Sequence, residues 1–197
     1  MKPQRLQQQI DFILEIDRLK TIRRRTYLTD TSRFENSAEH SWHIAVMALV
    51  LAEHANADDL DLFRVIRMMV LHDLVEIDAG DTFAYDDQAR QDKTEREEAA
   101  ADRIFQLLPA DQAEEFRGLW EEFEARQTPE SRFAAALDRL QPLLHNLYTE
   151  GKSWREHGVK KDQVTGLNRH MAEGAAALWD YAAAAIDRAV ARGHLPE

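Results

Sequence analysis

The chain has no cysteine among its 197 residues. That excludes a disulfide framework and any thiolate metal site. Glycine and proline are scarce, at seven and five, so helix breakers are few. Plentiful alanine, leucine, glutamate and arginine favour helix over sheet. Positive charge is also short: 25 Lys and Arg stand against 36 Asp and Glu, a formal net charge of −11. A field of that sign repels phosphate backbones, so neither nucleic acid nor an anionic membrane is expected as a partner. A small anionic substrate would need local cations to hold it. The longest apolar run, Ile44–Ala52, is nine residues, whereas a bilayer needs about 20. The segment after Met1 is polar and amphipathic, without the apolar centre of a secretory signal, so a cytoplasmic protein is expected. At this length one domain over residues 1–197 is the natural expectation.

What is present centres on His72-Asp73-Leu74-Val75-Glu76-Ile77-Asp78-Ala79-Gly80-Asp81, which follows the largely apolar run Val65–Leu71. A histidine and acids next to an interior segment are costly to bury unless paired or bound to a metal. If Val65–Ile77 is one helix, His72 and Glu76 stack at i, i+4, and Asp73 and Glu76 are neighbours at i, i+3. Gly80 permits a sharp exit that can return Asp81 to the same spot. The stretch reads as a divalent-metal site. Taken alone it also reads as a satisfied core histidine beside a solvated acidic turn.

Apolar spacing predicts a first amphipathic helix over Pro3–Lys20. Arg23-Arg24-Arg25 is the densest positive cluster, and a run of this kind is ordinarily a solvated face. Thr29–Ser37 reads as a loop ending in a cap at Asn36 or Ser37. Ala38–Ala55 is apolar almost all round and is therefore expected to be central, with His40 in its first turn. A third helix runs into the His72–Asp81 stretch. Thr82–Gln91, carrying Asp86, Asp87 and Arg90, reads as a lid or rim loop. Further helices are predicted over Thr94–Leu108, Pro109–Arg126 and from Thr128 onward. In the last of these Asp138 follows five apolar residues, and Pro142 is expected to kink or loosen the helix beside it. After a connector, Gly151–Gly158, a final helix is predicted over Lys161–Ala191, with a small-residue face suited to close packing. The expected fold is all-α, a bundle of six to eight helices.

His40, His72, Asp73 and Asp138 thus stand out on three predicted helices. Two imidazoles and two carboxylates suit Mn, Fe, Co, Ni or Zn better than Ca. The order His … His-Asp … Asp, with Glu39-His40-Ser41, Glu76, Gly80-Asp81 and Leu137-Asp138-Arg139-Leu140, resembles the HD superfamily of metal-dependent phosphohydrolases. The closest likeness is to its short 5′-deoxynucleotidase branch, over about residues 10–150, with the last helix less covered.

The resemblance implies that His40, His72, Asp73 and Asp138 hold a divalent transition metal. It makes Glu76 the catalytic acid/base, with Asp73 counted beside it, and gives Asp81 a place in substrate contact or at a second ion near Glu76. The branch also sets an arginine and a tryptophan near the phosphate. An ungapped count places these at Arg25 and Thr26, so the aromatic is missing unless Tyr27 replaces it after a one-residue slip. His43, Arg33 and Trp42 are taken as packing or supporting residues. The implied activity is hydrolysis of (deoxy)nucleoside 5′-monophosphates, with a nucleotide as the small-molecule partner and a homodimer as the assembly. Two alternatives stay open: action on cyclic nucleotides, dinucleoside polyphosphates or alarmones, and a non-catalytic nucleotide-binding module.

Overall fold

Thr128 begins the element that organises the interior. Its hydroxyl accepts from Ser131 N at 3.2 Å, Ser131 Oγ accepts in return from Thr128 N at 3.1 Å, and Pro129 supplies a preset first-turn φ. The helix that follows, Pro129–Tyr148, buries Phe133 through Asp138 without a break. It packs against most other elements, so it is the axis of the domain. The computed structural model describes residues 4–86, 88–89 and 91–197 in full and the backbone of 2–3.

In chain order the helices are α1 (Lys2–Ile16), α2 (Ser37–Leu51), α3 (Leu62–Leu71), α4 (Glu76–Ala79), α5 (Lys93–Phe105), α6 (Ala110–Ala125), α7 (Pro129–Tyr148), α8 (Lys152–Glu156), α9 (Lys161–Asn168), α10 (Met171–Gly174) and α11 (Ala176–Ala191). Strands β1 (Arg23–Tyr27) and β2 (Phe34–Asn36) form an antiparallel hairpin between α1 and α2. The all-α class holds, with this small sheet as an addition. One buried apolar cluster runs from Phe12 to Leu195. No described helix is long and apolar enough to cross a membrane.

Several local expectations are corrected. The first helix ends at Ile16 and continues as a 3₁₀ turn, Asp17–Thr21. Thr29–Ser37 is not all loop, because Phe34–Asn36 pairs with the arginine run. Its turn is closed by Leu28 N to Arg33 O and by Asp30 Oδ1 accepting from Ser32 N, both at 2.9 Å. The helix into His72 is not continuous either: His72–Val75 is 3₁₀, which tightens the backbone where the polar side chains cluster. α2 is less central than its composition implies, since it exposes Trp42, Val46, Leu49 and Val50. Pro142 lies inside an uninterrupted α7, so the missing N–H does not break the helix.

The predicted final helix is three pieces, α9 to α11. Gly174 explains one break: a Cβ there would meet Arg132 O of α7 at 2.2 Å, so the chain crosses α7 too closely for any other residue. Ala175 then adopts φ −156° and ψ 83° before α11 starts. Asn56, in the α2–α3 connection, satisfies the backbone groups freed at that break. Its N–H donates to Gly174 O at 2.9 Å, its Nδ2 to Ala172 O and Glu173 O, and its Oδ1 accepts from Ala176 N. The small-residue face of α11 is used inside the molecule, with Ala182, Ala185 and Ala189 buried.

Candidate metal centre and its cavity

α2 is started by a capping box. Asn36 Oδ1 accepts from Glu39 N, and Glu39 Oε2 accepts from Asn36 N. This places His40 one turn in, fully buried. Its Nε2 lies 2.9 Å from Asp138 Oδ1 of α7. His72 Nε2 lies 3.0 Å from Asp73 Oδ1 and 3.8 Å from Asp138 Oδ1. Donor atoms of His40, His72 and Asp73 all fall within 4.8 Å of one another, a group able to hold a metal ion. The structure therefore brings together all four residues singled out in the sequence.

The hydrogen bonds say which nitrogens are available. His72 Nδ1 sits 3.0 Å from Met69 O, which only accepts, so Nδ1 carries the hydrogen. For His40 the logic runs through Gln141. Gln141 Nε2 donates to the buried Glu35 carboxylate at 2.8 Å, which turns Gln141 Oε1 toward His40 Nδ1 at 3.0 Å. An amide oxygen can only accept, so Nδ1 is again the protonated nitrogen. Both Nε2 lone pairs then face carboxylate oxygens. His72 Nε2 is buried without a hydrogen-bond partner. Acceptors facing acceptors in a buried space require a cation between them, and this mixed nitrogen and oxygen set fits a divalent transition metal. With only protons to serve as that cation, His72 holds one: burial opposes the charge, but Asp73 and Asp138 prevail and raise its pKa to about 10.

Arg24 is the residue that sequence reasoning passed over. It turns inward from β1, its Nε 3.0 Å from Glu35, and its Nη1 3.4 Å from Asp73 and 3.7 Å from Asp81. Strand alternation was the available signal: Arg24 and Thr26 point inward while Arg23 and Arg25 are exposed. Two members of the run are solvated as expected, and the third, Arg24, contributes one of the site's fixed charges. Gly80, at φ 74°, does return Asp81 to the site, within reach of Arg24.

Glu76 is buried, and Ser37 Oγ donates to its Oε2 at 2.6 Å. Burial, reinforced by Asp73, holds its pKa well above the carboxylate range despite opposition from Arg24. The cavity over this floor is lined by His72, Asp73, Glu76, Asp81 and Asp138, and also by Arg24, Arg25 and Thr26. Tyr27 is not at the cavity. Its ring packs 4.2 Å from Phe34 and its hydroxyl reaches Glu156, so the slip to Tyr27 fails and Thr26 holds the inward position. Aromatic lining comes instead from Phe83, Tyr85, Phe123 and Trp154, none of them chosen from sequence. Phe83 and Tyr85 lie in the expected rim loop, whereas Asp87 and Arg90 of that expectation fall outside the described residues. His43 supports Gln141 at 3.4 Å, Arg33 pairs with Glu39 at the surface, and Trp42 is 66% exposed rather than packed.

Residues 16–179 match the model of the HD domain family. The bovine (Bos taurus) protein named 5′-deoxynucleotidase HDDC2 is 34% identical over 137 residues, covering 68% of this chain and 64% of its own length. Its human (Homo sapiens) counterpart is 32% identical over 136 residues, covering 68% and 65%. The chain thus spans just under two thirds of those relatives. A crystal structure of a predicted metal-dependent phosphohydrolase from Magnetospirillum magnetotacticum MS-1 superposes with a TM-score of 0.93 at 55% identity, covering 98% of this chain and 100% of that one. A conserved hypothetical protein from Pyrococcus furiosus shares the fold at a TM-score of 0.62 and 22% identity, covering 92% and 99%. With the buried His40, His72, Asp73 and Asp138 group in place, the match over residues 16–179 assigns the chain to the HD domain family.

Proposed function

We propose that this chain is a metal-dependent phosphohydrolase that cleaves nucleoside 5′-monophosphates, 2′-deoxy forms among them, to nucleoside and phosphate. His40, His72, Asp73 and Asp138 are the ligands in this reading, for Mn, Fe, Co, Ni or Zn. The observation that carries it is the buried floor of facing acceptors, opening into a cavity that also presents arginines. When bound, the ion supplies Lewis-acid chemistry, acidifying water and drawing charge from a phosphoryl oxygen. Glu76 is the acid/base. Ser37 anchors one of its oxygens, and burial beside Asp73 holds its pKa above the ordinary carboxylate value, the direction that suits a group meant both to accept and to return a proton. Arg25 binds the substrate phosphate from the rim. Asp81 contacts substrate or shares a second divalent ion with Glu76. The names of the curated relatives and the full-length match at 55% identity support the reaction class.

The test is phosphate release by protein supplemented with each of these metals, across ribo- and deoxynucleoside monophosphates, cyclic nucleotides and bis-nucleoside phosphates. Turnover of monophosphates is expected. Nucleotide binding without turnover would make the chain a binding module, and cleavage confined to the diesters would move it to another reaction.

We further propose a cytoplasmic homodimer. With the α11 face spent internally, pairing falls to the exposed apolar side of α2, with Trp42, Val46, Leu49 and Val50. Light scattering at micromolar concentration should give about twice the 22.8 kDa chain mass. A mass of one chain would defeat it.

A further inference from the structure

Two arginines in the cavity have imidazoles as their side-chain hydrogen-bond partners. Arg25 Nη1 lies 3.3 Å from His157 Nε2, and Arg126 Nη1 lies 3.1 Å from His170 Nε2. Among the described residues neither has a carboxylate within ion-pair distance, whereas Arg24 in the same cavity has three. In a chain with 36 acids and 25 Lys and Arg, an arginine left without an acid runs against the charge balance. The two arginines belong to different elements: Arg25 to β1 beside α8, and Arg126 to the C-terminal cap of α6.

Arg126 is not alone in the cavity lining. Arg139 of α7 also lines it, near enough for its charge to act on Arg126, with Nη2 2.9 Å from Asp138 Oδ2 and a buried Nε that has no partner. Burial, followed by repulsion from Arg139, lowers the pKa of Arg126. Burial and both arginines likewise lower that of His170, which is therefore a neutral acceptor. His170 can orient Arg126, but it cannot neutralise it. Two partly desolvated guanidiniums, of which Arg126 has no carboxylate among the described residues, carry the planar N–H donors with which arginine binds phosphate oxygens.

We propose that Arg126 and Arg139 form an anion subsite separate from Arg25, and that it takes a second phosphate of the ligand. The inference rests on the nucleotide reading above, with Arg25 serving the phosphate to be cleaved. A nucleoside bisphosphate then engages both subsites, and a monophosphate engages one.

Calorimetry on Mn²⁺-loaded protein carrying Glu76→Gln, which slows turnover, decides the matter. The probes are 2′-deoxyadenosine 5′-monophosphate and 2′-deoxyadenosine 3′,5′-bisphosphate. The bisphosphate should bind about tenfold more tightly, the scale of one added charge-assisted contact. Adding Arg126→Asn should erase most of that ratio; asparagine suits the left-handed backbone at this position, φ 51°. If that variant does not fold, Arg139→Gln should remove the ratio in its place. Equal affinity for the two probes in the parent overturns the subsite. An equal loss for both probes in the Arg126 variant does so too, since Arg126 would then serve the phosphate common to both. The wild type's turnover of monophosphates is a separate measurement: its absence would sink the nucleotidase reading while the binding ratio still decides the subsite.

Discussion

On the floor of the cavity each polar group is held by another: Glu35 orients Gln141, Gln141 sets the hydrogen on His40, and Asp138 sits between both imidazoles. At the rim, Arg25 and Arg126 each lean on one histidine, and Phe83 lies 4.7 Å from His157 on a loop. The floor is fixed before any ligand arrives, and a change to one member leaves its neighbours with unpaired buried groups. The rim is only oriented, so its members are separable. Losses on the floor should therefore appear in ion binding and kcat, and losses at the rim in KM.

The largest effect should come from His40→Ala, which removes one proposed ligand and strands Asp138. Activity should fall by at least about 10³-fold, and elemental analysis should find the ion depleted. An ion content equal to wild type would count against His40 as a ligand. Next is Glu76→Gln, which leaves the four proposed ligands in place. A fall in kcat of about 10²–10⁴-fold with KM little changed is expected, the usual contribution of a general acid or base. Wild-type turnover would take that role from Glu76.

Chelation probes the floor as a whole. An ion present at a hundred times its Kd adds about 2.7 kcal/mol of stability, so EDTA should lower the melting temperature by several degrees. Without the ion His72 keeps its proton up to about 10, so binding must expel it. The ion-induced gain should therefore grow as pH rises from 6 to 8. A gain that is flat with pH would contradict the proton exchange.

Gln141→Leu acts one step further out. It removes the acceptor that fixes the His40 tautomer, and should weaken ion affinity about 10–100-fold with all four proposed ligands unsubstituted. Competition with a metal indicator reads this directly, and unchanged affinity would free His40 from Gln141. Smallest is Arg25→Ala, which should raise KM for monophosphates about tenfold with kcat near wild type, as loss of one exposed phosphate contact implies. A fall in kcat alone would place Arg25 in the chemistry rather than in binding.

The floor was largely legible in the sequence, and of the rim only Arg25 and the loop after Asp81 were. His72, Asp73, Glu76 and Asp81 lie within ten residues, where helix spacing and one glycine suffice to gather them. Asp138 announced itself as an acid after five apolar residues. Arg24 and Glu35 could not be found this way, because their meeting depends on a hairpin within a helical chain. Gln141 looks like any helix glutamine until Glu35 is seen on its far side. Tyr85, Trp154 and Arg126 reach the cavity from three separate elements, and no local period links them. The small-residue face of α11 was read correctly as a packing surface, but its partner is this chain's own interior.

Asn56 carries a consequence in time rather than in space. Its side chain joins residues 116 to 120 positions away, across the break between α10 and α11. None of those bonds can form until most of the chain has been made and folded back. Closing so long a loop costs little more free energy than closing one half its length, but the search for it is slow. On a ribosome, α2, α3 and most of the metal-binding floor emerge well before the segment that Asn56 awaits. During that interval the groups that Gly174 and Ala176 later occupy stay open to solvent, and the α7 surface that α10 covers stays bare. The α10–α11 segment thus completes the fold late.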